Sequence, residues 1–299
     1  MKLLTAALPE QPSAPFPAVL ADNGRVLPMK ALGLNFPTLQ DFICACADQP
    51  LLSELKTRLS EYDPEEALSY DALVRYSPIP RPAQDVICLG MNYAAHAVES
   101  AKYKKEAFER DRAYAVYFSK RVTEAVPDGG DIPAHRDVTE RLDYEVELAV
   151  ILGKDTLNVT EEEAGKTIFG YTILNDISAR EVQTLHKQWY LGKSLDGFCP
   201  MGPWIVTADE FEYPPERKIR SYINGELRQD GNTDMLMFSI SQIIAELSHG
   251  MLLKAGTIIS TGTPAGVGMG FDPPKFLNVG DEIRCEIEGI GTLTNRIVP

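Results

Sequence analysis

The run Leu142-Asp143-Tyr144-Glu145-Val146-Glu147-Leu148-Ala149-Val150-Ile151-Leu152 sets acidic side chains inside an otherwise apolar, β-prone segment. In an extended strand alternate side chains share a face, so Tyr144, Val146 and Leu148 point one way while Glu145 and Glu147 point the other. Two carboxylates held side by side disfavour joint ionisation unless a cation or a cationic side chain offsets the repulsion. A bare Glu-x-Glu pair is also what a solvated strand face carries. A second apolar strand, Ile168 to Leu174, runs directly into Asn175-Asp176-Ile177-Ser178-Ala179-Arg180-Glu181-Val182-Gln183. If a helical turn begins at Asp176, Arg180 and Gln183 stack over the same face as Asp176. The alternative role for Asp176 at such a junction is a helix N-cap.

The chain around these strands has 299 residues, 29 Lys plus Arg against 43 Asp plus Glu, and a net charge of −14. That length predicts one large domain, or a main domain with a smaller appendage, and a substantial core. An acidic surface with no basic block repels phosphates, which excludes nucleic acid as a partner and disfavours anionic membranes. No stretch approaches the roughly 18 apolar residues of a membrane span, and the start Met1 to Leu8 breaks at Pro9, so the expected location is the cytoplasm. The five cysteines, Cys44, Cys46, Cys88, Cys199 and Cys285, are odd in number and scattered, as expected of reduced thiols rather than a disulfide framework.

The element pattern is α+β and β-rich. Residues 15 to 33 read as a hairpin turning at Asp22-Asn23-Gly24. Leu39, Phe42, Ile43 and Cys46, then Leu51, Leu52, Leu55 and Leu59, recur at helical spacing. The alternating prolines of Tyr76-Ser77-Pro78-Ile79-Pro80-Arg81-Pro82 can neither continue a helix nor sit in a central strand, so a boundary is placed there. This divides the chain into a small N-terminal α/β domain over 1–80 and a main domain over 81–299. Beyond the boundary come a strand from Asp85 to Leu89, a turn at Gly90-Met91-Asn92-Tyr93, and a helix carrying His96 and Glu99. A charged stretch from Lys102 to Arg112 has weak apolar periodicity and reads as mobile or solvent-facing. Later segments predict a hairpin at Asn224-Gly225, a helix opened by the capping-box spacing of Ser239 and Gln242 and stopped by Gly250, and a half-buried strand at Ile283, Cys285 and Ile287.

Three further groups bear on chemistry. His96 and Glu99 lie three apart on one helical face, where the carboxylate can orient the imidazole and tune its charge; a surface pair is the alternative. Gly192-Lys193-Ser194-Leu195-Asp196-Gly197 places one lysine in a glycine-flanked loop, yet lacks the upstream glycine of a P-loop and the final glycine of a nucleophile elbow. Thr261-Gly262-Thr263-Pro264-Ala265-Gly266-Val267-Gly268-Met269-Gly270 is no dinucleotide fingerprint, but its amides and threonine hydroxyl could hold a carboxylate; a plain structural turn is the other reading.

Together these segments resemble the fumarylacetoacetate hydrolase family, from about Ala83 to Ile297. The resemblance rests on six motifs in order: G-x-N-Y with H-x-x-E (Gly90 to Glu99), Y-E-x-E-L (Tyr144 to Leu148), N-D-x-x-A-R-x-x-Q (Asn175 to Gln183), G-K-S-x-D (Gly192 to Asp196), N-G-E-L-R-Q (Asn224 to Gln229) and T-G-T-P-x-G-V-G (Thr261 to Gly268). The run from Gly192 to Pro203 and Pro273-Pro274-Lys275-Phe276-Leu277 look most like a bacterial branch that includes oxaloacetate decarboxylases. The resemblance implies a β-roll core, a homodimer, and Mg²⁺ or Mn²⁺ held by Glu145, Glu147 and Asp176. Oxygen ligands suit such hard cations, and the spacings of His96, His135, His186 and His249 fit no zinc signature.

It further implies a small anionic 2-oxo acid as substrate, His96, Glu99 and Lys193 as catalytic residues, and Arg180, Gln183 and Thr263 as substrate-orienting ones; Arg180 is also a candidate to pair with Glu145 or Asp176. Oxaloacetate decarboxylation is the first expectation. The alternatives are acylpyruvate or fumarylpyruvate hydrolysis, oxaloacetate tautomerisation or 2-hydroxydienoate isomerisation, and a metal-binding dimeric scaffold without catalysis. Met91 departs from the pattern, since relatives commonly carry Arg or Lys before the Asn-Tyr pair.

Overall fold

The computed structural model describes residues 1–21, 23–62, 67–104 and 114–299. The charged stretch from Lys102 to Arg112 therefore lies outside the described residues from 105 onward, as does Asp22 of the first hairpin turn. An eleven-stranded sheet runs in the order Leu68–Ser69, Arg25–Pro28, Phe16–Leu20, Lys2–Ala7, Met201–Thr207, Ile168–Asn175, Val146–Leu152, Ile258–Ser260, Val86–Gly90, Val116–Lys120, with Val74–Arg75 paired beside Lys2–Ala7. A five-stranded sheet packs against it in the order Glu226–Asn232, Lys218–Ile223, Glu282–Ile287, Gly291–Val298, Asp131–Pro133. Two of the pairings are parallel, Ile258–Ser260 with Val86–Gly90 and Gly291–Val298 with Asp131–Pro133. The architecture is strand-rich and mixed, as the pattern of elements predicts.

The strand Val146–Leu152 is buried along its whole length. Its period-2 alternation feeds two cores. Val146, Leu148, Val150 and Leu152 join Ile219, Ile283, Ile287 and Leu293 of the smaller sheet. Ala149 and Ile151 join Phe42 and Leu55 of the N-terminal helices Leu39–Ala45 and Leu51–Glu61. Each fully buried Val, Leu or Ile stabilises the fold by about 1.5–3 kcal/mol, and that burial carries Glu145 and Glu147 into a dry environment on the Ala149–Ile151 face. The solvated-face reading of the Glu-x-Glu pair is thereby excluded.

The local signals behave as their chemistry dictates. Phe16–Leu20 and Arg25–Pro28 form the first hairpin, with Gly24 at φ 76° and Asn23 Oδ1 accepting from Arg25 N. Ser239 and Gln242 exchange both capping-box bonds at the start of the helix Ile240–Ser248. Asn224 and Gly225, at φ 51° and 81°, turn the Lys218–Ile223 and Glu226–Asn232 hairpin. Among the described residues no helix is long and apolar enough to cross a membrane.

Hydrogen bonding and packing both cross the boundary placed at residue 80. Lys2–Ala7 pairs with Met201–Thr207, and Leu3, Val19 and Phe42 share one apolar cluster with Ala149, Met201 and Ile205. Removing residues 1–80 would leave Met201–Thr207 without its neighbour and expose that cluster. A fragment of residues 81–299 is therefore expected to lose the cooperative thermal unfolding and near-ultraviolet circular dichroism of the full chain. A fragment that unfolds in one sharp transition near the full-length temperature would show that the N-terminal strands add no support.

Candidate active site

The geometry follows from strand register. Val146 pairs with Asn175 and Glu147 with Leu174 in the antiparallel pair of Val146–Leu152 and Ile168–Asn175. One step further, Asp176 N donates to Glu145 O at 2.8 Å, so Asp176 emerges opposite Glu145. Carboxylate oxygens of Glu145, Glu147 and Asp176 lie within 4.8 Å of one another, and all three side chains are buried. No helix begins at Asp176, contrary to the helical condition set from sequence. The chain instead forms the short strand Ser178–Ala179 against Leu142–Asp143, and the helix Arg180–Leu185 starts from Ala179 without a side-chain cap. Asp176 is accordingly not an N-cap either.

Three buried cations answer this cluster. Lys193 Nζ donates to Glu145 Oε2 and Asp176 Oδ2, each at 2.7 Å. Lys120 Nζ, at the end of Val116–Lys120, donates to Asp176 Oδ1 and to the carbonyls of Ile177 and Lys193. Arg180 pairs through Nε with Asp143 Oδ2 at 2.8 Å and through Nη2 with Glu145 Oε1 at 2.7 Å; its ionic partners are Asp143 and Glu145, not Asp176. Burial alone would raise the Glu145 carboxyl, but Lys193 and Arg180 carry it below the usual carboxylate range. Glu147 goes the other way, since burial and the charges of Asp176 and Glu145 hold it well above that range. Among the described residues Glu147 has no ion pair, and its Oε2 accepts only neutral donors, Ser260 Oγ at 2.6 Å and Gly262 N at 2.9 Å.

A narrow cleft of about 20 Å³ opens over these groups, lined by His96, Glu145, Glu147, Arg180, Gln183, Lys193 and Thr263, with Phe118, Trp189, Met91 and Met269 as an apolar wall. His96 reaches it from the helix Ala94–Lys104, whose entry is fixed by Asn92: the side-chain amide donates to Phe238 O and Thr261 O and accepts from Phe238 N. The His96 Nδ1 lies 3.5 Å from Glu99 Oε2 and has no hydrogen-bond partner among the described residues. Glu99 stands behind His96 rather than on the cleft wall, and both its oxygens accept from Gly266 N. The Thr263 hydroxyl donates to Val146 O and accepts from Gln229 Nε2, so only an acceptor position remains for a ligand.

The glycine-rich loop does hold carboxylates, and they are the chain's own: Gly262 serves Glu147, Gly266 serves Glu99, and Gly268 and Met269 serve Asp143. Sequence reasoning missed Lys120, Asp143, Ser260 and Gln229. Lys120 ends an ordinary strand, and no local spacing marks its reach toward Asp176. Asp143 lay in the run already singled out, but its partners are distant in sequence.

The donor set fits a hard divalent cation. Its three carboxylates converge from adjacent strands, all donors are oxygen, and Glu147 has no ion pair among the described residues. The four buried carboxylates Asp143, Glu145, Glu147 and Asp176, counted as ionised, face the three buried cations Lys120, Arg180 and Lys193, a surplus of one negative charge. A divalent ion would turn this into a surplus of one positive charge, the sign an anionic acid requires.

This chain belongs to the fumarylacetoacetate hydrolase family: the model for the fumarylacetoacetate hydrolase C-terminal domain matches residues 85–298. It is 46% identical over 223 residues to the oxaloacetate tautomerase YisK of Bacillus subtilis, covering 74% of this chain and 72% of that one. The fumarylacetoacetate hydrolase from Exiguobacterium antarcticum superposes with a TM-score of 0.83 at 36% identity, over 100% of this chain and 99% of that one. Maleylpyruvate hydrolase from Sphingobium sp. SYK-6, solved with manganese(II) and pyruvate, gives a TM-score of 0.77 at 26% identity, with 100% and 99% covered.

Removing one partner of a buried charge set leaves the other uncompensated, at a cost of about 3–5 kcal/mol. Lys120→Met keeps the bulk of the side chain and deletes its charge, so it is expected to lower unfolding stability by about that amount in urea titrations. A change below about 1 kcal/mol, the scale of a surface pair, would show that Lys120 carries no such burden.

Proposed function

We propose that this chain is a divalent-metal-dependent enzyme of small 2-oxo acids whose reaction passes through the enol form of the substrate, with oxaloacetate keto–enol tautomerisation as its activity. The observation that carries the reading is the convergence of Glu145, Glu147 and Asp176 within 4.8 Å at a cleft that also presents His96. Decarboxylation, the first expectation from sequence, gives way to tautomerisation because the 46% identical Bacillus relative is an oxaloacetate tautomerase. Both reactions need the same electron withdrawal from a ketone. Only decarboxylation also breaks a carbon–carbon bond.

Glu145, Glu147 and Asp176 would hold Mg²⁺ or Mn²⁺, which when bound supplies Lewis-acid polarisation of the 2-oxo group. Lys193 and Lys120 hold Asp176, and Lys193 and Arg180 hold Glu145, so these oxygens are set before any ligand enters. His96 is the proton carrier: its imidazole takes the proton from C3 of the keto acid and passes it to the 2-oxo oxygen to give the enol, and in the reverse direction it carries the enol O–H proton back to C3. Glu99, fixed by the Gly266 amide, stands 3.5 Å from His96 Nδ1 and orients the imidazole. Gln183 offers its amide to a substrate oxygen. Burial of the cluster keeps bulk water from competing with these contacts.

The test follows oxaloacetate enol by ultraviolet absorbance and pyruvate by a coupled dehydrogenase, with Mn²⁺ or with EDTA. The protein is expected to speed ketonisation in Mn²⁺, to lose that effect in EDTA, and to add nothing to pyruvate release over free Mn²⁺. His96→Gln is expected to cut the tautomerisation rate about 100-fold or more, the scale of general acid–base catalysis. Protein-dependent pyruvate release would restore decarboxylation. Failure to change either signal would leave a non-catalytic metal-binding scaffold as the better account.

A further inference from the structure

Nothing in the reaction outlined above requires Asp143, yet it is fully buried and its carboxylate accepts four hydrogen bonds. Oδ1 takes Tyr144 N at 2.9 Å and Gly268 N at 2.6 Å; Oδ2 takes Arg180 Nε at 2.8 Å and Met269 N at 3.0 Å. A Cβ on Gly268 would stand 2.6 Å from Asp143 Oδ1, so only glycine permits the loop to come this close. The carboxylate is thus immobilised by the strand that leads to Glu145 and by the glycine-rich loop, and it presents one oxygen to the guanidinium.

We propose that Asp143 is a positioning residue for the site, acting through Arg180 to set the direction from which Glu145 and Gln183 are held. Arg180 spends Nε on Asp143, Nη2 on Glu145 and Nη1 on Gln183 Oε1, the last at 3.1 Å. A guanidinium has only donors, so the Gln183 amide must turn its oxygen toward Arg180 and its NH₂ away. Gln183 lines the cleft. Its NH₂ is therefore the group left for a carboxylate or carbonyl oxygen there, and Asp143 guards that polarity from a buried position outside the cleft lining. The kinetic part of this inference rests on the proposed tautomerase activity; the geometric part does not.

Asp143→Asn keeps the shape of the side chain, but either orientation of the new amide sets its NH₂ against two N–H donors, Arg180 Nε and Met269 N or Tyr144 N and Gly268 N. The first measurement needs no turnover. In ¹H–¹⁵N spectra of the metal-free protein, the Arg180 Nε–H resonance, assigned by its loss in Arg180→Lys, is expected to exchange with solvent far more slowly than those of exposed arginines. In Asp143→Asn that protection is expected to fall at least tenfold. Rapid exchange in the wild type, or unchanged protection in the variant, overturns the proposal, and the wild-type arm decides even if the variant does not fold.

The second measurement is a double-mutant cycle with oxaloacetate and Mn²⁺. Asp143→Asn is expected to raise KM about tenfold while kcat for the folded fraction changes less than threefold, and to raise KM less than threefold further in the Arg180→Lys background. Loss of a negative charge alone would lower KM for an anion, so the sign separates positioning from simple electrostatics. A merely structural residue would lower thermal stability with KM unchanged. Effects on KM that multiply across the two substitutions would also overturn the proposal. If the wild type does not act on oxaloacetate, the tautomerase reading falls while the Nε–H measurement still decides the role of Asp143.

Discussion

Carboxylate repulsion in a dry place organises this structure. Glu145, Glu147 and Asp176 lie on the face of a large sheet that, two residues further on, is solid apolar core. Their approach is tolerable only because Lys193 bridges Glu145 and Asp176, Lys120 also holds Asp176, and Arg180 pairs with Glu145. Buried ion pairs seldom maximise stability, because desolvation consumes most of the Coulombic gain. Here they keep charged oxygens aimed at one point, and the carboxylate without a cationic partner, Glu147, marks where a cation is still wanted.

The large sheet converts this local problem into a rigid frame. Antiparallel register brings Asp176 opposite Glu145, while the neighbouring Ile258–Ser260 strand supplies Ser260 and then the glycine-rich loop. Through its amides that loop touches Glu147, Glu99 and Asp143, and so links the metal-binding face, the helix of His96 and the anchor of Arg180. An arrangement held by backbone N–H groups has little freedom to drift, which suits a reaction that depends on placing one proton and one carbonyl oxygen.

Much of this was legible in the sequence where the signal was local. Period-2 alternation separates Glu145 and Glu147 from Tyr144, Val146 and Leu148, and the structure keeps that division. Helical spacing sets His96 beside Glu99, and the capping box at Ser239 forms as its residue types predict. What escaped depends on contacts distant in the chain. Lys120 meets Asp176 across 56 residues, Asp143 meets Gly268 across 125, and no spacing rule covers either. The helical turn at Asp176 on which the stacking of Arg180 and Gln183 is conditional does not form, because a strand pairing with Leu142–Asp143 delays the helix until Arg180. The continuity of Lys2–Ala7 with Met201–Thr207 was equally hidden, since strand partners are chosen by tertiary packing.

The central claim is that one hard cation sits among the oxygens of Glu145, Glu147 and Asp176. Crystals grown in Mn²⁺ and measured near the manganese absorption edge test it most directly. The account predicts one strong anomalous peak per chain, within about 2.3 Å of an oxygen from each of the three residues. A map with no peak there, or with manganese bound only elsewhere, would contradict it.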